Sequence, residues 1–172
     1  MHKQQGFTLI ELMITIALLA ILMGIAIPNM RQFLVNQRVS GQASELINSL
    51  AFARSEASKR NVNIVVIPAA NATTGWGTGW CVGPESITNC NHADVLSNYQ
   101  SKASDVSVVS TYLQATNRLT FRRDGTLLTP GGAAPFKISS VRLDPASSNA
   151  RCVGLNGLGK ASMSKVKPND NC

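Results

Sequence analysis

From Phe7 to Ile27 the chain is apolar at almost every position, with Thr8, Glu11 and Thr15 as the strongly polar interruptions before Pro28. A bilayer-crossing helix needs about 20 apolar residues at about 1.5 Å each, and this stretch supplies them. Past Pro28 the pattern changes. Apolar residues recur at Ala43, Leu46, Ile47, Leu50, Ala53 and Ala57, the spacing of one helix face, while Arg54, Glu56 and Lys59 suit a wet face. Asn61 is a plausible stop, so the spacing predicts one helix over residues 7 to 60, about 80 Å long, with Pro28 and Gly41 as points where it can bend.

Beyond residue 60 the period shortens. Residues 62–67 (VNIVVI) read as a strand, and residues 106–109, 118–121, 140–143, 151–155 and 160–163 as further short ones. Asp124-Gly125 and Asn156-Gly157-Leu158-Gly159 mark hairpins. The stretch GWGTGW over residues 75–80 reads as a turn-rich connection carrying two indoles, which either close the end of a small core or form an exposed adhesive loop. A helix followed by many short strands is an α+β order. Four segments follow: a leader at 1–6, a membrane helix at 7–29, its amphipathic continuation at 30–60, and a β-rich head at 61–172.

Composition adds three points. The chain has 172 residues and 5% aromatics, so its core must lean on Val, Ile, Leu and Ala. Its four cysteines, Cys81, Cys90, Cys152 and Cys172, lack CxxC spacing, which argues against zinc. In an exported chain they read as disulfides. Three connectivities are open, and the sequence-local pairs Cys81–Cys90 and Cys152–Cys172 are favoured over the others. The net charge is +7, and most of it lies after Asn117, where nine cations face three acids. Such a surface suits anionic partners without choosing among them.

The amino terminus carries the most specific signal. Lys3 marks the cytoplasmic flank, and the small residue stands before the apolar run rather than after it. Gly6-Phe7-Thr8-Leu9-Ile10-Glu11 resembles the leader junction of type IV pilins and of the pseudopilins of type II secretion. The resemblance implies a precursor in the inner membrane with a periplasmic head. A prepilin peptidase would cut it after Gly6 and N-methylate Phe7. The mature chain would then pass into a pilus or a periplasmic pseudopilus. It further implies that Glu11 serves assembly, pairing with the new amine of a neighbouring subunit, and that Pro28 introduces a bend. Ala53-Arg54-Ser55-Glu56-Ala57, Phe121-Arg122-Arg123-Asp124-Gly125 and the hairpin from Cys152 to Met163 are similar to the GspH/FimT family. Heads of that family are two small antiparallel sheets packed on the helix. The residues from Asn71 to Tyr99 match nothing in that pattern.

Within such a family three roles compete: a minor pilin priming assembly at a pilus tip, a type II secretion pseudopilin, and a DNA-binding minor pilin used in transformation. Partners would be other pilin subunits, and for the third role DNA. Tying down the carboxy terminus through Cys152–Cys172 resembles many type IV pilins. The candidate DNA contacts are Arg118, Arg122, Arg123, Arg151, Lys160, Lys165 and Lys167. DNA-binding members carry a late Gly-Arg-x-Arg motif. Here that stretch reads Gly159-Lys160-Ala161-Ser162, with a point charge in place of one guanidinium fork and a hydroxyl in place of the other.

An enzyme is not expected. Once the leader is removed His92 is the only histidine left, and no G-x-S-x-G elbow is present, so a membrane-tethered hydrolase is a remote alternative. Neither a cofactor nor a metal is implied. The reading predicts that mass spectrometry of mature protein finds N-methylated Phe7 as the first residue. Any other first residue removes its basis.

Overall fold

The computed structural model describes residues 7–70, 75–110, 113, 117–128 and 136–172, the side chains of Pro28 and Asn29 apart. One helix, α1 (Leu9–Arg60), is followed by eight strands: β1 (Ile64–Pro68), β2 (Gly79–Pro84), β3 (Ser97–Gln100), β4 (Val106–Val109), β5 (Leu119–Phe121), β6 (Phe136–Ser140), β7 (Ala150–Leu155) and β8 (Ala161–Val166). The chain divides into two compact units, residues 1–34 and residues 35–172.

In the first unit α1 has no buried side chain among the described residues. Leu9, Ile14, Ile21 and Ile25, like their neighbours, are more than half exposed. The most apolar 18-residue window of this helix has a mean hydropathy of 2.6, and all of it is exposed. α1 continues through Pro28 without a break in its assignment.

In the second unit the same helix becomes one-sided. Val35, Val39, Ala43, Leu46, Leu50, Ala53 and Ala57 are buried at spacings of three and four, and small Ala residues let the sheets approach closely. Asn61 stops the helix in the left-handed region, at φ 54°, where Asn pays less than other side-chain-bearing residues. Glu56, assigned to the wet face by its charge, is instead buried at 7% exposure. Arg60 and Lys59, one turn on, fold back over its carboxylate. The hydrogen bond from Arg60 is the main reason that carboxyl titrates below its usual range.

Two four-stranded antiparallel sheets complete the head, in the orders β3-β2-β1-β5 and β4-β6-β7-β8. Ile64 and Val66 of β1, Leu119 and Phe121 of β5, Phe136 and Ile138 of β6 and Val153 and Leu155 of β7 share one core with the helix stripe. Both indoles join it: Trp76 meets Phe136 edge-on at 5.0 Å and Trp80 stacks on Tyr99 at 4.4 Å. The adhesive-loop reading therefore falls. The other face of β1, Val65 and Ile67, packs on Cys81 and Ile87 in a second small core. Disulfides Cys81–Cys90 and Cys152–Cys172 are formed.

Three expectations are corrected. Residues 79–84 and 97–100 form β2 and β3, where the sequence suggested a connection and then nothing recognisable. Gly79, at φ 136°, lies so close to the Tyr99 carbonyl that a Cβ would stand 2.1 Å from it, so the glycine that suggested a turn is required by strand pairing. The strand expected at 140–143 lies earlier, at Phe136–Ser140. There Ser140 ends it by accepting hydrogen bonds from Arg142 N at its hydroxyl and from Leu143 N at its carbonyl. The helix begins at Leu9 rather than at residue 7.

Leu50 is fully buried in the stripe that joins both sheets. Leu50→Ala should cost about 2–5 kcal/mol, read as a drop in melting temperature of the full chain in detergent. Val141→Ala, at a residue 96% exposed, should leave it unchanged.

Candidate functional site

The residues that the sequence marks as candidates for assembly sit at the start of α1. Thr8-Leu9-Ile10-Glu11 is a capping box, the T-x-x-E pattern in which residue and helix turn satisfy each other. The Thr8 backbone N–H and hydroxyl donate to Glu11 Oε2 at 3.0 and 2.9 Å, and the Glu11 N–H donates to Thr8 Oγ1 at 3.3 Å. The carboxylate also faces the positive end of the helix dipole. A charge inside an apolar run thus has two local reasons to be there, and Oε2 takes both Thr8 donors while Oε1 has no partner among the described residues. Phe7 is exposed beside it. Gly6 lies outside the described residues.

The cations named from sequence do not form one patch. Lys160 follows the hairpin Asn156–Gly159 and lines a groove with Arg54, Ser55 and Ser58 of α1. The turn that holds Arg122 and Arg123 abuts this place, since a Cβ on Gly125 would lie 3.0 Å from Ser58 Oγ and 3.3 Å from Arg54 Cγ. Arg122 and Arg123 in turn line a second depression with Arg60 and Asn63. So Arg54, Arg60, Arg122, Arg123 and Lys160 gather round the carboxy-terminal end of α1.

Lys165 stands on β8 five residues further on, about 16 Å away at strand rise, and Lys167 lies just past the end of β8. Arg151 is 7% exposed and turned onto the backbone, its Nη1 donating to the carbonyls of Asn149 at 2.9 Å and Ala150 at 3.2 Å. It is not part of the basic surface. Arg118 is half-buried and donates to the Ile87 carbonyl at 3.1 Å. Arg54, read from the sequence as a wet-face helix residue, was not among the candidate contacts because it lies over 100 positions from Lys160 and only folding brings the two to one groove.

Of the other candidates, His92 sits 3.6 Å from Asp94 on the loop beside Cys90. Among the described residues no group of three metal-ligating side chains is found.

With this geometry in place, known proteins sharpen the reading. A family described as Type II transport protein GspH matches residues 42–159, more than half of the chain. The chain belongs to the GspH family. A prokaryotic N-terminal methylation motif matches residues 1–27. Two crystal structures of the type IV minor pilin FimU of Pseudomonas aeruginosa share the fold. One is 22% identical, with a TM-score of 0.56, over 73% of this chain and 91% of that one. The other is 23% identical, with a TM-score of 0.57, over 73% and 87%.

This GspH chain is thus a pilin-like subunit: an inner-membrane precursor by its apolar helix and methylation motif, bound for a pilus or pseudopilus, where it assembles with other pilin subunits. Prepilin peptidase processing follows from the same motif. The family match includes residues 71–99, which the sequence left unplaced, and ends at Gly159. Lys160, β8 and Cys172 lie beyond the matched span.

Proposed function

We propose that this chain is a minor pilin of a type IV pilus, a structural subunit that helps prime assembly or forms part of the tip. The observation that carries the reading is the exposed apolar segment of α1, capped by Thr8 and Glu11, on a GspH head in which Cys152–Cys172 ties the residues after β8 to β7. A subunit that meets shear gains from such a tie. A closed loop of this size contributes about 3 kcal/mol in the chain-entropy model.

Cleavage after Gly6 would create an amine on Phe7. Glu11 Oε1 is the atom left to receive the amine of a neighbouring subunit, while Oε2 keeps the Thr8 cap. Pairing offsets the roughly 2.5–3.5 kcal/mol that a charge costs at membrane depth. Pro28 is the residue proposed to let the helix bend as it leaves the bilayer. The alternative, a pseudopilin of type II secretion, is favoured by the family description itself.

Deleting the gene separates these roles. Loss of surface pili with secretion intact supports the pilus. Loss of secreted proteins with pili intact supports the pseudopilus. In either case Glu11→Ala should still insert in the membrane but fail to restore the lost function. Normal restoration by that variant overturns the pairing.

Contact with DNA is a second reading, favoured by Arg54, Arg122, Arg123 and Lys160 around the end of α1, where Arg60 is held by Glu56, and where Glu85 and Asp124 also line the depression. Lysines and arginines there would bind phosphate without reading sequence. Replacing Arg122, Arg123 and Lys160 with glutamine should weaken duplex binding, measured by anisotropy at low salt, and reduce the salt slope by about 2–3. An unchanged slope removes this surface from the reading.

A further inference from the structure

We propose that the outer edge of β8 accepts an extended segment of a partner subunit as a fifth strand, with a carboxylate of that segment seated between Arg54 and Lys160. The inference rests on the assembly reading and names the partner's chemistry.

β8 is the last strand of its sheet, paired to β7 across all six residues from Ala161 to Val166. The direction of its free groups follows from the hairpin. Asn156 N–H donates to the Lys160 carbonyl at 3.1 Å, so 156 and 160 are a hydrogen-bonded pair. Alternation in an antiparallel ladder then turns Ser162, Ser164 and Val166 toward β7. The N–H and C=O groups of Ala161, Met163 and Lys165 point outward, and no strand meets them among the described residues.

Edges of this kind are usually blunted by proline, bulges, brevity or several charges. β8 has six residues in unbroken register, no proline, and Lys165 as its only charge. Its core also stops abruptly. Val153 of β7 is fully buried, while Met163, directly opposite on β8, is 43% exposed. One more strand would cover it.

Beside that edge runs the groove of about 450 Å³ between α1 and the start of β8. Ile47 and Ala51 give it an apolar wall, and Arg54 and Lys160 give it two cations with no acid in its lining. Neither cation has an ionic partner among the described residues. A strand laid on β8 would direct alternate side chains to the α1 side of the sheet, where an apolar residue fits Ile47 and Ala51 and an acid fits the cation pair. The edge offers donors and acceptors in alternation. A peptide backbone satisfies both, whereas a phosphate chain would leave the three carbonyls unmet. That favours a protein segment over nucleic acid.

The test uses the full chain in detergent micelles with residue-resolved amide exchange. The probe is an acetylated, amidated heptapeptide of alternating valine and threonine with one central glutamate. Saturating peptide should slow exchange at Ala161, Met163 and Lys165 by about 10-fold or more, with Ser162 and Ser164 unchanged. Lysine in place of the glutamate should weaken binding about 10-fold, and Arg54→Glu should invert that preference. No protection, equal protection by a peptide N-methylated at alternate residues, or stronger protection of the same amides by a DNA duplex overturns the proposal. In cells Met163→Pro, accepted only with an unchanged melting temperature, should fail to enter filaments. If the gene deletion abolishes filaments but the peptide gives no protection, the edge proposal falls while the assembly reading stands.

Discussion

Apolar surface on a helix has to be covered by something, and α1 meets that demand in two different ways. From Leu9 to Ile27 it is apolar on nearly every side, and among the described residues none of its side chains is buried. From Val35 onward it is apolar on one side only, and that side is closed by two sheets. At about 25 cal/mol per Å² of apolar surface, neither half can be left in water. The second half therefore specifies a head, and the first half specifies lipid or sister helices. The rest of the fold is arranged around this split. The helix stripe is built of Ala, Val and Leu, and the two large indoles add bulk to the same core, Trp76 against Phe136 of β6 and Trp80 against Tyr99 of β3.

A helix stripe that shares one core with two sheets leaves each sheet with an outer face to protect, and each disulfide serves one of them. Cys81–Cys90 spans nine positions and holds the loop bearing Ile87 and Val95 against Val65 and Ile67, the outward side chains of β1. Cys152–Cys172 spans twenty and holds the tail near Lys137 and Ser139 on the outer side of β6. Both closures restrict the unfolded chain, by about 3 kcal/mol each in the chain-entropy model. They also replace, for a small head with few aromatics, the third layer that larger domains build from secondary structure. The faces are covered; among the described residues the outer edge of β8 meets no strand.

Much of this was legible in the sequence because local periodicity survives folding. The stripe from Ala43 to Ala57, the stop at Asn61 and the hairpins at Asp124-Gly125 and Asn156–Gly159 all depend on neighbours within a few positions. β2 was hidden because Gly79 and Gly83 read as turn residues, whereas they are needed for close approach to Tyr99 and Ile87. Glu56 was misjudged because charge alone put it in water, yet Arg60 and Lys59 cover it. The basic surface was misjudged for a related reason. Lys160, Lys165 and Lys167 are close in sequence, but a strand moves them apart at about 3.3 Å per residue. Arg151 was counted among them although its guanidinium is spent on its own backbone. Clusters made by the chain returning on itself, such as Arg54 with Lys160, leave no periodic trace.

Glu11 shows why one residue can answer to both demands. In an isolated chain its carboxylate is not a bare charge in an apolar run, because Thr8 supplies two donors to one oxygen and the helix start supplies a favourable field. That lowers the cost of holding the acid at the membrane while the subunit waits. On the proposed pairing, the second oxygen would distinguish a waiting subunit from an incorporated one. A neighbour's amine can take it without breaking the cap, so the helix need not fray to change partners. An alanine would lose both roles. A glutamine would keep an acceptor for the cap while losing the charge that an amine requires, so the two functions of this position are separable in principle by chemistry rather than by location.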